Sequence, residues 1–215
     1  MQRKRAMLTR EKICDSAIKL IESDGLENLS MRKLAEQLGV EAPSLYKHIS
    51  SKSDLFNLIQ ESIVNQLLFN QKISCWQNCL LEVAVSIRKI LLKYPNIAPL
   101  FATRPALGES ALELASKVYE ILSNAGFKPL EVIFAYRNLC RFVLGHVLAE
   151  IGRIPGGSKE KTEKKVLLNC KEKFPNIFNA SVNKISKDPN QSFNFGLKII
   201  INGLECIVLK PFHNL

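Results

Sequence analysis

The sequence predicts an all-helical protein: an N-terminal three-helix unit containing a helix-turn-helix, then a C-terminal helical bundle. Three observations predict it. Apolar residues recur at helical spacing through nearly every long segment. Glycine and proline are few, 10 and 9 in 215 residues, in a chain that is 47% hydrophobic. Capping residues open the early segments and glycine closes them.

The elements follow in chain order. Thr9 caps a first helix over 9–24, where Ile13, Ala17, Leu20 and Ile21 form one apolar stripe and Asp24-Gly25 is the stop. Ser30 caps a second helix with Met31, Leu34, Ala35 and Leu38 on its apolar face and Arg32, Lys33, Glu36 and Gln37 outward. Gly39 ends that helix, since glycine enters the left-handed region at no steric cost. Val40 fills the corner, and Pro43 opens a two-turn helix anchored by Leu45 and Ile49.

Ser51-Lys52-Ser53-Asp54 is the capping signal of a long helix to about Phe69, which links the two domains, 1–53 and 54–215. Further helices are expected over Trp76–Lys93, Asn96–Phe101 (short), Leu107–Asn124, Leu130–Ile151 and Ser192–Leu209. An exposed helix is expected over Lys159–Lys173, within an otherwise loop-like 158–190.

A short second helix with small residues at its start suits entry into a DNA major groove, while the first helix braces across the backbone. The candidate DNA-binding residues are Ser30, Arg32, Ala42, Pro43, Ser44, Tyr46, Lys47, His48 and Lys52, with Arg3, Lys4 and Arg5 as a basic arm. An ordinary helical hairpin with a polar outer face fits the bare pattern too.

Residues 30–52, SMRKLAEQLGVEAPSLYKHISSK, preceded by a helix ending in a Asp-Gly turn, resemble the N-terminal domain of the TetR family of bacterial repressors. The likeness runs from Thr9 to Leu67 without a gap. Thr103-Arg104-Pro105 and the stretch from Phe193 to Glu205 resemble the core domain of the tetracycline-repressor type. The resemblance implies a DNA-binding regulator with a ligand pocket in the second domain.

It also implies a pocket that departs from the tetracycline repressors. Where those have a magnesium-ligating histidine three residues before Thr-Arg-Pro, this chain has Leu100. Their other drug contacts fall on Leu68, Val83, Ile87, Val118 and Ala149, with Glu150 one place off the last. A hard cation needs oxygen or nitrogen ligands, and this pocket would offer it almost none. The expected pocket, Leu68, Val83, Ile87, Leu100, Thr103, Arg104 and Val118, suits a mostly apolar effector. Arg104 either orients that ligand or is a structural residue, and the apolar positions are equally readable as packed core.

The helices 130–151 and 192–209 are too apolar for one interface, so a two-fold homodimer is expected through Phe142, His146, Gly196, Ile200, Gly203, Leu204 and Ile207. A buried core helix is the alternative.

Composition narrows the remaining classes. The net charge is +10, but residues 1–53 hold ten Lys and Arg against seven Asp and Glu, and residues 153–173 hold seven against three. Placement, not total charge, therefore points to the hairpin. Six cysteines without a Cys-x-x-Cys pair read as reduced residues of a cytosolic protein, with no metal and no cofactor. No apolar run reaches membrane-spanning length, and the basic N-terminus lacks the apolar stretch of a secretory signal.

No catalytic constellation is present. The expectation is a cytoplasmic, non-enzymatic repressor released from a near-palindromic double-stranded DNA operator by a small-molecule effector. A same-fold regulator with a vestigial pocket or a co-repressor ligand is one rival. A helical carrier or enzyme retaining the hairpin only as structure is another.

Overall fold

The computed structural model describes residues 7–67, 75–152, 172–176 and 188–209, and among these every regular element is helical. The helices are α1 (Arg10–Asp24), α2 (Met31–Leu38), α3 (Ala42–Tyr46), α4 (Lys52–Val64), α5 (Trp76–Lys93), α6 (Ala98–Thr103), α7 (Glu109–Asn124), α8 (Pro129–Glu150) and α9 (Pro189–Leu209). The expected Lys159–Lys173 helix falls almost wholly outside the described residues, as do Leu68, Cys170 and the basic arm.

Three caps predicted from sequence are made. The hydroxyls of Thr9, Ser30 and Ser51 accept from the backbone N–H of Lys12, Lys33 and Asp54 at 3.3, 3.2 and 3.0 Å. Gly39 stands at φ 66°, ψ 33°, and its N–H closes on the last turn of α2. α4, expected to reach Phe69, ends at Val64. Just past its end, the Gln66 side-chain oxygen accepts from Lys93 Nζ and Tyr94 OH, each at 3.0 Å.

Two hydrophobic cores result. The first gathers Ile13, Ala17, Ile21, Leu34, Leu45 and Ile49 with Leu55, Ile59 and Ile63 of α4, and it also takes in Ile97 and Leu100. It therefore reaches past residue 53 into α4 and α6. The second core joins α5, α7, α8 and α9 through Leu80, Val83, Val118, Leu122, Leu139, Val143, Phe193 and Leu197. Arg88 locks three of those helices. It donates to Glu150 at 3.0 and 2.9 Å and to Asn190 at 2.8 Å, with its guanidinium 4.8 Å from the Phe193 ring.

As helices, α8 and α9 are long and apolar enough by composition to cross a membrane, although no unbroken apolar run of that length stands in the sequence. Each covers the second core with one face and leaves apolar side chains on another, as a core helix with a second interface does.

Candidate nucleic-acid interface and its joint to the core domain

The hairpin is rigid on its inner side. Leu34, Leu45 and Ile49 are wholly buried, and Ala35 nearly so, while the N–H of Val40 bonds the Ala35 carbonyl at 3.0 Å to close the corner. Gln37 adds a bond to the Ser16 carbonyl at 3.5 Å, tying α2 to α1.

The outer side carries the predicted DNA-binding residues. Pro43, Tyr46 and Lys47 are exposed, Tyr46 by 52%, while Ala42 and Ser44 on α3 and His48 just beyond it are half-buried. Arg32 is exposed and pairs with Glu36 one turn on, at 3.4 Å. Ser30 spends its hydroxyl on the cap of α2. The Lys52 ammonium donates to the Leu29 carbonyl at 2.7 Å and lies 5.5 Å from the Phe56 ring, so it also braces α4 against the loop before α2.

Two residues outside the candidate DNA-binding set hold this surface in place. Arg10 donates to the His48 carbonyl at 2.7 Å and to the Asp54 carboxylate at 3.0 Å. Asp54 accepts the Ser50 N–H at 2.9 Å and the Ser50 hydroxyl at 3.2 Å. The Ser50 N–H first, and then Arg10, hold the Asp54 carboxyl below its ordinary value of 3.8, against the opposing effect of burial. The capping signal marked Asp54, but its long-range partner is 44 residues away and has no local trace.

α6 is pinned at both ends, at its start by α1 and at its end by α4. At its start, the Glu22 carboxylate of α1 accepts from Asn96 N at 3.3 Å and Ile97 N at 3.1 Å, and the Glu22 carbonyl takes the Asn96 side chain at 2.8 Å. At its end, Arg104 Nη2 donates to Ser53 Oγ at 2.7 Å and Asn57 Oδ1 at 3.2 Å. The buried Gln60 donates to the Arg104 carbonyl at 3.1 Å. The next residue of α4, Glu61, accepts from Ser110 N and Oγ at 2.9 and 2.6 Å, fastening the start of α7. Gly108 permits this, since a Cβ there would fall on the Glu61 carboxylate.

The expected apolar pocket is not assembled as one lining. Leu100 packs in the first core, whereas Val83, Ile87 and Val118 belong to the second. Val83 and Val118 are essentially without exposure. α6 turns Leu100 toward α1 and α4, a choice that depends on its docking and not on its own sequence. Thr103 and Arg104, by contrast, line an open cleft of about 410 Å³ with Asn57, Gln60, Pro105, Leu107 and Gly108.

The expected dimer residues also divide. Phe142 stacks on Phe193 at 5.6 Å, Gly196 is the close-approach point for that same Phe142 ring, and a His146 ring nitrogen lies 3.2 Å from the Pro189 carbonyl. These three serve packing within the chain. Ile200 and Leu204 lie half-buried against the second core and Ile207 is half-buried, while Gly203 is open. The outward large apolar residues of these two helices are instead Leu130 and Phe134 on α8 and Phe195, Ile199 and Leu209 on α9; Phe134, Phe195 and Ile199 are exposed by 52, 68 and 56%. Among the described residues no cluster of His, Cys, Asp and Glu could hold a metal.

The bacterial regulatory proteins of the tetR family match residues 13–59, and the tetracyclin repressor-like C-terminal domain matches residues 71–208. The chain belongs to the TetR family. It is 31% identical to the tetracycline repressor protein class E of Escherichia coli over 97% of this chain and 96% of that one. A transcriptional regulator of Saccharopolyspora erythraea is 36% identical over 149 residues, 69% of this chain, which spans 63% of that protein. Among solved structures, ActR of Streptomyces coelicolor in complex with actinorhodin superposes with a TM-score of 0.82 at 25% identity, covering 94% of this chain and 98% of that one.

The TetR-family assignment carries DNA binding, transcription regulation and the layout of a ligand-responsive repressor: a helix-turn-helix domain in front of a helical receiving domain. Regulators of this family are generally non-enzymatic and soluble, and α8 and α9 are core-domain helices within it.

Proposed function

We propose that this TetR-family repressor binds a near-palindromic duplex as a homodimer and is released by a small molecule other than tetracycline–magnesium. The observation that carries the reading is the α3 surface. Pro43, Tyr46 and Lys47 stand exposed on a hairpin whose inner face is fully packed and whose frame is bonded to α4 and α6. Ala42, Ser44 and His48 flank the same groove-facing end, and Arg32 and Lys52 sit where phosphates pass.

A two-fold dimer supports the near-palindromic operator, since two hairpins read two half-sites. The unpartnered Phe134, Phe195 and Ile199 on α8 and α9 support that dimer. Leu100, Val83, Ile87 and Val118 supply no oxygen or nitrogen to a hard cation, which supports an effector that needs no magnesium.

The effector acts by population shift: it favours a spacing of the two hairpins that fits the operator poorly. The route is short. A ligand beside Thr103 and Arg104 touches the residues that bond α4, and α4 begins where the hairpin ends.

A gel shift with duplex DNA from beside the protein's own gene, with and without candidate effectors, tests the reading. A salt-sensitive complex that an effector dissolves is expected. A chain that retards no such duplex at low salt rules the reading out.

A further inference from the structure

We infer that α3 reads its half-site through the 5-methyl groups of thymine, with Ala42 and Pro43 as the specificity-determining residues. This rests on the DNA-binding function and deepens it, by naming the feature of the bases that the reading helix recognises.

α3 is short enough for every side chain to be accounted for. It runs Ala42–Tyr46, and Lys47 continues it with right-handed helical backbone. Leu45 is wholly buried and, with Ile49 just beyond, anchors the element inward. Helical spacing then places Ala42, Pro43, Tyr46 and Lys47 together on the outward face, at i, i+1, i+4 and i+5, and leaves Ser44 off it. Ala42 and Pro43 stand at the end that a helix-turn-helix turns toward the base edges.

That end offers the major groove no hydrogen-bonding fork. Guanine is ordinarily read by Arg or Lys and adenine by the amide of Asn or Gln, each meeting two atoms of the base edge. No Arg, Asn or Gln stands between Glu41 and Ile49. Arg32, exposed on α2, pairs with Glu36 at 3.4 Å. The Tyr46 hydroxyl and the Lys47 ammonium lie a turn further along, where the strand backbone passes. Ala42 and Pro43 present hydrocarbon, and among the bases only thymine places a methyl group in the major groove.

The surroundings make the contact a rigid one. Ala42 is half-buried and packs against the first core, so its methyl is fixed in place. Pro43 is exposed, and its ring has no rotamer freedom to lose. Glu41 precedes them, exposed and contributing no side-chain bond to the cap of α3. Its carboxylate can accept from a base amino group but repels phosphates, which keeps this end of α3 over base edges and off the backbone.

The experiment compares two forms of the duplex that the chain retards, one ordinary and one with every thymine replaced by uracil. Uracil pairs identically and lacks only the 5-methyl. Fluorescence anisotropy with the full chain measures both affinities. One methyl read in each half-site, at the worth of a buried methylene, weakens the uracil duplex by about fifteenfold. Replacing thymines singly should place the sensitive methyls at symmetric positions in the two half-sites. Ala42→Gly should lose most of the discrimination, and Pro43→Ala should narrow it too, which decides the matter if Ala42→Gly does not fold. Equal affinity for the two duplexes, or full discrimination surviving in both variants, overturns the assignment and leaves DNA binding intact. A chain that binds neither duplex fails as a DNA-binding repressor, and methyl readout falls with it.

Discussion

Arg10 and Asp54 form a 3.0 Å ion pair that closes a frame around the recognition hairpin, joining the start of α1 to the first turn of α4. The same guanidinium holds the His48 carbonyl at the end of α3, so one side chain fixes the exit of the reading helix. An exposed pair of this kind adds little stability by itself. Its value lies in where it holds the backbone.

The pair makes stability depend on pH. Asp54 has its folded carboxyl below its ordinary 3.8, so its contribution is fully present above 3.8 and is lost as pH falls through the lowered folded value. Asp54→Asn should therefore lower the denaturation midpoint at neutral pH, and the gap to the unaltered protein should close well below pH 3.8. Chemical denaturation at both pH values measures it. A gap that persists unchanged in acid would assign the effect to packing.

Tyr46→Ala should weaken operator binding by about 1–3 kcal/mol, the range for a lost direct contact, and leave the melting temperature nearly unchanged, because the ring is exposed. Lys52→Ala should weaken binding and also lower stability, since its ammonium braces the Leu29 carbonyl. Fluorescence anisotropy and thermal melts on the two variants separate the roles. A double variant that binds as tightly as the unaltered chain would remove the hairpin as the reading head.

Assembly is tested on the outward apolar residues. Ile199→Glu places a charge on the open face of α9 and should yield monomers that remain folded, since burying it unpaired in an interface costs several kcal/mol, about 3–5. Leu204→Glu, half-buried against the chain's own core, should instead reduce stability. Light scattering and circular dichroism distinguish the outcomes. A dimer that survives Ile199→Glu would move the interface off this face.

Cysteine reactivity should follow burial. Desolvation pushes the Cys14, Cys79 and Cys140 thiols up to about 11, leaving almost no thiolate at neutral pH. Cys75 and Cys206 are exposed and should be alkylated first by iodoacetamide in the folded chain. Mass-spectrometric mapping with Cys14 labelled as fast as Cys75 would show that the first core opens readily.

Tetracycline with magnesium should neither stabilise the protein nor release DNA, because Val83, Ile87, Leu100 and Val118 present only hydrocarbon. Thermal shifts with and without a chelator check this. A stabilisation that chelation abolishes would reinstate the metal-borne ligand.

The sequence by itself determined what local physics controls. Thr9, Ser30 and Ser51 each had one capping geometry open to them, Gly39 alone tolerated the left-handed exit of α2, and the apolar stripe of Leu34, Leu45 and Ile49 left only one inner face for the hairpin. Tertiary structure decided the rest. α6 is six residues long, too short for its own periodicity to say which neighbour it faces, and docking by Glu22 and Arg104 sends Leu100 to the first core and Thr103 to the cleft. On α8 and α9 the apolar residues run around more than one side, so spacing did not distinguish the inward Phe142 and Gly196 from the outward Phe134 and Phe195. Close packing within the chain made that choice, because the Phe142 ring fits against α9 only where a side chain is missing, at Gly196.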